Sequence, residues 1–247
     1  MLSYIQLETR RMLRNRRYVV VGLGFPAFFY ALCTRTGMGA EPGAAIAGTT
    51  WGVYFMISMA TWALILAAFS MGGSRISAER SNGWLRQLQA SPMRPSAYLV
   101  GKLTAGLILS APALVLMAIL AVAFDGISLE PLVWLQLGAV LLAGSLTFGA
   151  LALLTGFLFD VDSAVVATNV VVFGVAVIGG LMNPVEGMPG TIADVARLLP
   201  SWRLADIGWR LVGGRSLDPM DLVMVVAFGV AFGLLAAWRF RTATATA

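Results

Sequence analysis

Histidine is absent from the 247 residues, cysteine occurs once, at Cys33, and only 12% of the chain is charged. With neither histidine nor a second cysteine, the chain holds no Cys/His zinc cluster, no histidine-ligated haem, no internal disulfide and no histidine-dependent nucleophilic triad. Metal and redox chemistry are not expected. An ordinary soluble domain carries about 25% charged residues, so little of this chain is meant for water. What fills it instead is apolar: 59% hydrophobic residues and a mean hydropathy of +0.84. Such a chain belongs in a bilayer.

The hydrocarbon core is about 30 Å thick, so a helix rising about 1.5 Å per residue needs about 20 apolar residues to cross it. Six stretches qualify: 18–34, 49–72, 103–124, 131–159, 163–185 and 219–238. The expected fold is all-α and integral to the membrane, with six transmembrane helices in a single domain over 1–247. The largest hydrophilic pieces are 1–17, 73–102 and 186–218. "RRMLRNRR" followed by "YVVVGLGFPAFFYALC" has the look of a signal peptide, but no A-x-A-like site follows. The first run is expected to remain as a span.

Seventeen Lys and Arg stand against twelve Asp and Glu, a net +5. In a membrane chain such an excess reports orientation, and no nucleic-acid partner is expected. With a cytoplasmic N-terminus, the inside segments hold Arg10, Arg11, Arg14, Arg16, Arg17, Arg75, Arg80, Arg86, Arg94, Lys102, Arg239 and Arg241. The outside segments hold only Arg35, Arg197, Arg203, Arg210 and Arg215. Both termini are therefore expected in the cytoplasm. Ser3 and Gln6 stand in capping-box spacing, and Leu2, Ile5, Thr9, Met12 and Leu13 share a face, which predicts an amphipathic helix on anionic lipid. Asp162 is expected to cap the helix after the acidic turn "FDVDS".

Residues 186–218 pattern as two short outer helices before the last span. Thr191 and Asp194 predict a capping box, Pro200 a break and Ser201 a second cap. Arg203, Asp206 and Arg210 then line a polar face opposite Leu204, Ile207 and Leu211. These helices either cover the outer mouth or float at the interface, with Trp202 and Trp209 as anchors.

The most charged long stretch is "SAERSNGWLRQLQASPMRPSAYLVGK", residues 77–102. As a helix it aligns Arg75, Glu79, Asn82 and Arg86 on one face, with an Arg75 to Glu79 ion pair, and Pro92 and Pro95 terminate it. Tyr98 is expected near the interface and Lys102 to snorkel. Positive-inside anchoring explains the arginines. It does not explain why so long a patterned segment is used where a few residues would join two spans.

These residues resemble the E-R-x-x-G-x-L-x-x-L-x-x-[ST]-P pattern of type-2 ABC-transporter permeases, here read from "ERSNGWLRQLQASP". "MPG" and then "ARLLPSWRLADIGWRLVGG" are similar to the outer segment that family carries before its last span. Trp84 and Arg86 depart from the pattern's usual Thr and acidic residue. The resemblance covers nearly the whole chain. It implies a bacterial cytoplasmic-membrane translocation subunit whose 77–90 coupling helix sits in a cleft of a separate ATPase subunit. Glu79, Arg80, Gly83, Leu85 and Arg86 are the positions implied for that contact. Two ATPase subunits and a second permease, identical or homologous, are the implied partners, with ATP and Mg bound by the ATPase and no cofactor in this chain. The chain itself is not expected to be an enzyme: at the one "GK", residue 96 is Ser and residue 103 is Leu, so no phosphate loop forms.

A secondary carrier normally keeps ionisable residues within its helices, and none of the six predicted interiors has one. Asp221 and Lys102 sit at ends. An intramembrane enzyme lacks a proton acceptor at depth. A secondary carrier or a membrane assembly subunit, without an ATPase partner, stays open as the alternative. For cargo, Phe55, Met56, Met59 and Trp62 offer adaptable apolar surface, and Thr147 and Asn169 offer hydrogen bonds without charge. Such a lining suits a drug, antibiotic or lipid-like amphiphile moved out of the cell.

Overall fold

The computed structural model describes residues 18–36, 43–46, 48–83 and 95–245. A π-helical segment Tyr18–Gly24 runs into α1 (Phe25–Thr36). Pro26 supplies no N–H to the helical ladder behind it, which accounts for the widened turn. A hairpin of two-residue strands, β1 (Ala45–Ile46) and β2 (Thr49–Thr50), leads to α2 (Trp51–Met71), and α3 (Gly73–Ser81) follows directly. Then come α4 (Pro95–Asp125), α5 (Pro131–Leu158), α6 (Val161–Val177), a 3-10 turn Val185–Gly187, α7 (Gly190–Leu198), α8 (Pro200–Val212) and α9 (Pro219–Ala245).

Among the described residues four helical stretches are long and apolar enough to cross a membrane: Trp51–Ser81, Ala97–Asp125, Pro131–Leu158 and Pro219–Thr242. The fifth expected span is shorter than its apolar run. α6 stops at Val177 because Gly179 and Gly180 follow, the latter at φ +72°, and Tyr54 Oη donates to the Gly180 carbonyl at 2.9 Å. Hydropathy continues through residue 185 and conceals that turn.

α2 is the axis of the bundle. It is apolar all round, and only Leu66 and Ser70 of its residues are not fully buried. Its Ser58 and Thr61 hydroxyls donate to the carbonyls of Tyr54 and Ile57, so neither has a proton left to donate to a ligand. α4 and α9, by contrast, carry long exposed stripes, Val115, Ile119 and Val122 on one and Leu222, Val226 and Leu234 on the other. Facing water these would be an aggregation hazard; facing lipid they are ordinary. α5 and α9 lie close where Gly229 admits Thr147, whose Oγ1 donates to the Val225 carbonyl at 2.9 Å. The small-xxx-small pair Gly229 and Gly233 is thus half used inside the chain, and a Cβ on Gly233 would meet nothing within 4 Å among the described residues.

Several expected caps move. Asp160, not Asp162, caps α6, accepting from the Ser163 N–H at 2.8 Å, and that bond holds its carboxyl below the usual range. The Thr191–Asp194 box does not form, because Pro189 is the N-cap of α7 and Asp194 pairs instead with Arg197 at 3.4 Å. Leu199 is the N-cap of α8, and Ser201 donates across to the Val175 carbonyl at 3.2 Å. Pro95 opens α4 rather than closing the helix before it, since a proline in the first turn has no bond to lose. The Ser3–Gln6 helix lies outside the described residues.

Candidate coupling and transport site

Two ends of the bundle matter, one marked by Pro131 and one by Leu158. At the Leu158 end, the chain breaks between α2 and α3 at Gly72 and Gly73. A Cβ on Gly72 would lie 2.6 Å from the Ala152 backbone, and Gly73 has φ +42°. Only glycine suits both positions. The break turns α3 onto α6 and the end of α5, with its Glu79 side chain reaching the start of α4.

α3 is bonded to α5 and to α4. Arg80 Nη1 donates to the carbonyls of Gly156 at 3.0 Å, Phe157 at 2.7 Å and Phe159 at 3.3 Å. These lie at the end of α5, where carbonyls lack helical partners and the helix dipole favours a cation. Ser77 Oγ lies within donating distance of the Gly156 and Phe159 carbonyls, 3.0 and 3.1 Å. On the opposite side Glu79 accepts from Tyr98 Oη and from Lys102 Nζ, each at 2.6 Å, and from Arg75 Nε at 3.4 Å. The Arg75 to Glu79 pair is the one expected from spacing. Lys102, however, does not snorkel: α4 begins eight residues before the predicted span, which sets its side chain inside at 0% exposure against Glu79. Gly83, at φ +70°, ends the described part of this segment, and a Cβ there would meet nothing within 4 Å among the described residues. The helix expected over 77–90 does not run unbroken: α3 closes at Ser81. Leu85 and Arg86 lie outside the described residues.

The predicted cargo residues separate. Trp62 and Asn169 line one hollow of about 310 Å³ between α1, α2 and α6, together with Phe25, Phe69, Ser70, Ser74, Thr168 and Phe173. Phe25, Trp62 and Phe173 meet edge to face, with centroids 5.5 to 6.5 Å apart. Among the described residues neither the Trp62 indole N–H nor the Thr168 hydroxyl has a hydrogen-bond partner. Met56 instead faces an apolar groove of about 650 Å³ between α4 and α5. Phe55 is stacked on Trp51 at 5.3 Å, Met59 is fully buried and Thr147 is spent on Val225. Phe25 and Phe173 carry no polar mark in sequence, so only packing reveals them.

At the Pro131 end, α8 is inside the bundle rather than on its surface. Leu204 presses on Gly144, thirteen residues or about 20 Å along α5 from Pro131. Trp209 stacks on Tyr54 at 4.3 Å and donates to its carbonyl at 3.0 Å. The polar face read from sequence is present but turned into the packing, with Asp206 buried and the two arginines half-buried: Arg203 donates to Asp221 at 2.6 Å, and Arg210 pairs with Asp206 and lies 3.8 Å from Asp221. Asp221 is completely enclosed. Asp125, near the same end, accepts from Tyr30 Oη and ties α1 to α4.

Residues 47–238 match the family described as ABC-2 family transporter protein. The chain is also 26% identical over 234 residues to "Putative transport permease YvfS" of Bacillus subtilis (strain 168), a match covering 95% of this chain and 94% of the relative. A bundle of apolar helices crossed at one end by a bonded polar helix, and matched over most of its length in this way, belongs to the ABC-2 family: the chain is a multi-pass transporter transmembrane subunit of the type-2 ABC permease kind.

Proposed function

We propose that this permease is the membrane half of an ATP-driven exporter of the bacterial cytoplasmic membrane. It spans the membrane six times with both termini inside, the Leu158 end cytoplasmic and the Pro131 end outside. Two ATPase subunits and a second permease, identical or homologous, complete it. The observation that carries the cargo reading is the hollow at Trp62: three aromatic rings, two unsatisfied hydrogen-bonding groups and, among the described residues, no charged side chain in its lining. Such a surface favours a neutral or weakly polar amphiphile and desolvates an ion at a large cost. α7 and α8 would then close the outer mouth.

The partner is tested by capture. A C-terminally tagged permease from native membranes is expected to bring down a phosphate-loop ATPase, identified by mass spectrometry, and Arg86→Glu to lose most of it. Recovery of no ATPase after crosslinking would turn the reading toward an assembly subunit or carrier. The cargo surface is tested by Trp62→Phe with Thr168→Val, which removes both unsatisfied groups and keeps most of the volume. Export of amphiphiles carrying hydrogen-bonding groups is expected to fall about tenfold relative to purely apolar ones, the scale of two lost bonds of about 0.7 kcal/mol each. Equal losses for both would remove the hollow from the path.

A further inference from the structure

The groove between α4 and α5 belongs neither to the coupling end nor to the hollow at Trp62. Its floor is Met56 and Ala60 of the central helix α2, both buried, and one rim is the exposed stripe Val115, Ile119 and Val122 of α4. None of the described residues that line it is charged. It lies at the Pro131 end of the bundle: on α4 the lining runs from Ala111 to Ala123, two residues short of Asp125, and on α5 from Trp134 to Leu142. The twelve-residue rise on α4 is about 18 Å, and one leaflet is half of a hydrocarbon core about 30 Å thick. The groove thus starts at one membrane surface, with Trp134 in the place of an interfacial aromatic, and ends near mid-depth.

Width and charge narrow the occupant. A volume of about 650 Å³ spread over about 18 Å gives a mean cross-section of about 36 Å², less than half of what a helix about 10–12 Å across requires. A helix of a second copy does not fit; an extended alkyl chain does. The space exists because small residues stand where large ones would fill it, Ala118 on α4 and Gly138 on α5, and among the described residues nothing is within 4 Å of a Cβ added to Gly138. At the mouth the Glu130 carbonyl accepts the Trp134 N–H at 3.1 Å, which sets the exposed Glu130 one turn above Trp134. Asp125 and Arg35, near the same end, are engaged elsewhere: Asp125 accepts from Tyr30, and the Arg35 guanidinium lies 4.9 Å over the Phe124 ring. Glu130 therefore favours an ammonium group at the mouth and disfavours an anionic headgroup.

We propose that this groove is a binding site for one acyl chain of a bilayer lipid whose headgroup carries an ammonium, inserted from the Pro131 end and packed on α2. Such a site requires only the bilayer that the chain spans and does not depend on an ATPase. The bound chain fills the space between α4 and α5 and presses on Met56, and so supports the helix that presents Trp62 on another face. A lipid bound only by the folded permease stabilises it by linkage.

The test uses the full permease in phosphatidylglycerol vesicles that hold a trace of phosphatidylethanolamine with a photoreactive diazirine in one acyl chain. Mass spectrometry of the labelled peptides is expected to find the groove segments of α4 and α5 labelled several-fold more than the exposed stripe of α9 at Leu222, Val226 and Leu234. Unlabelled phosphatidylethanolamine is expected to remove that excess. Gly138→Leu, or Ala118→Leu from the opposite wall, fills the groove and is expected to lower labelling there to the α9 level, while the thermal unfolding midpoint in lipid-free detergent stays at or above that of the parent. Phosphatidylethanolamine added in detergent is expected to raise the midpoint of the parent and not that of the filled variants. Labelling that is even over α4, α5 and α9 and resists competition would mean ordinary boundary lipid and overturn the site, as would undiminished labelling in a filled variant that keeps its midpoint. Equal labelling by a phosphatidylglycerol probe with the same chain would overturn the headgroup choice. A disulfide-linked dimer formed by Ile119→Cys in a Cys33→Ser background would seat a second copy in the groove and overturn the lipid as its occupant.

Discussion

Asp221→Ala is expected to destabilise the purified permease by about 3–5 kcal/mol, the range for removing one member of a buried ion pair. The carboxylate is completely enclosed and accepts from Arg203 at 2.6 Å, with Arg210 3.8 Å away. Its removal takes from Arg203, 16% exposed, the carboxylate it is bonded to and offers little water in exchange. The loss is local in cause and wide in effect, because this pair fixes α8 to the start of α9 while Trp209 and Leu204 fix α8 to α2 and α5. Asp221→Asn keeps an acceptor and is expected to lose less. Asp221→Leu combined with Arg203→Met removes both charges and is expected to recover most of the loss, since a buried pair adds little over apolar packing of similar volume. The measurement is the thermal unfolding midpoint in detergent, compared across the single and double variants. Additive losses would show that the pair does not hold α8.

Gly156→Ala is expected to reverse the usual sign of a glycine-to-alanine change in a helix. Alanine normally gains up to about 1 kcal/mol there. At Gly156 the new Cβ would lie 2.6 Å from both the Gly73 carbonyl oxygen and Ile76 Cβ. One of these is backbone, so relief requires α3 to back away from α5, which stretches the Ser77 and Arg80 bonds to Gly156 and Phe157. Overpacking of this kind costs about 1–3 kcal/mol, and Gly156→Val more. Gly174→Ala is the control, since nothing stands within 4 Å of its added Cβ and a small gain is expected. Equal midpoints for the Gly156 and Gly174 variants would mean that α3 does not seat on α5 as described.

Much of this architecture is legible because a bilayer imposes a simple rule on sequence. Residues 51–71, 131–158 and 219–242 are readable as spans within a few positions, since any helix buried in hydrocarbon must be apolar over that length. The boundaries that mislead are at glycine and proline. Gly179 and Gly180 end α6 inside an apolar run, and Pro95 begins α4 where its residue type suggests a stop. Each residue type permits two outcomes, and the neighbour decides which: here Tyr54 bonds the turn at Gly180.

The candidate site divides the same way. Glu79, Arg80 and Gly83 stand out by motif and spacing, and Trp62 and Asn169 by chemistry suited to an uncharged cargo. Their partners do not, because Tyr98 and Lys102 are reached through a fold-back and Gly156 is 76 positions from Arg80. Met56, Phe55, Met59 and Thr147 carry the same side-chain chemistry as the residues of the hollow and point elsewhere.

By itself, then, the sequence determined the solvent of this protein, the helical character and length of most spans, and the place where a charged helix interrupts them. Those properties follow from composition along the chain, and hydrocarbon thickness converts them into structure. Tertiary structure alone decided that α8 is buried and not afloat, that Lys102 is paired and not snorkelled, and that the Glu-Arg pair faces inward. An amphipathic pattern states that one face is apolar and the other polar. It does not state whether water, lipid or another helix covers the polar face, and here Asp221 and the end of α5 do so through packing between residues far apart in the chain.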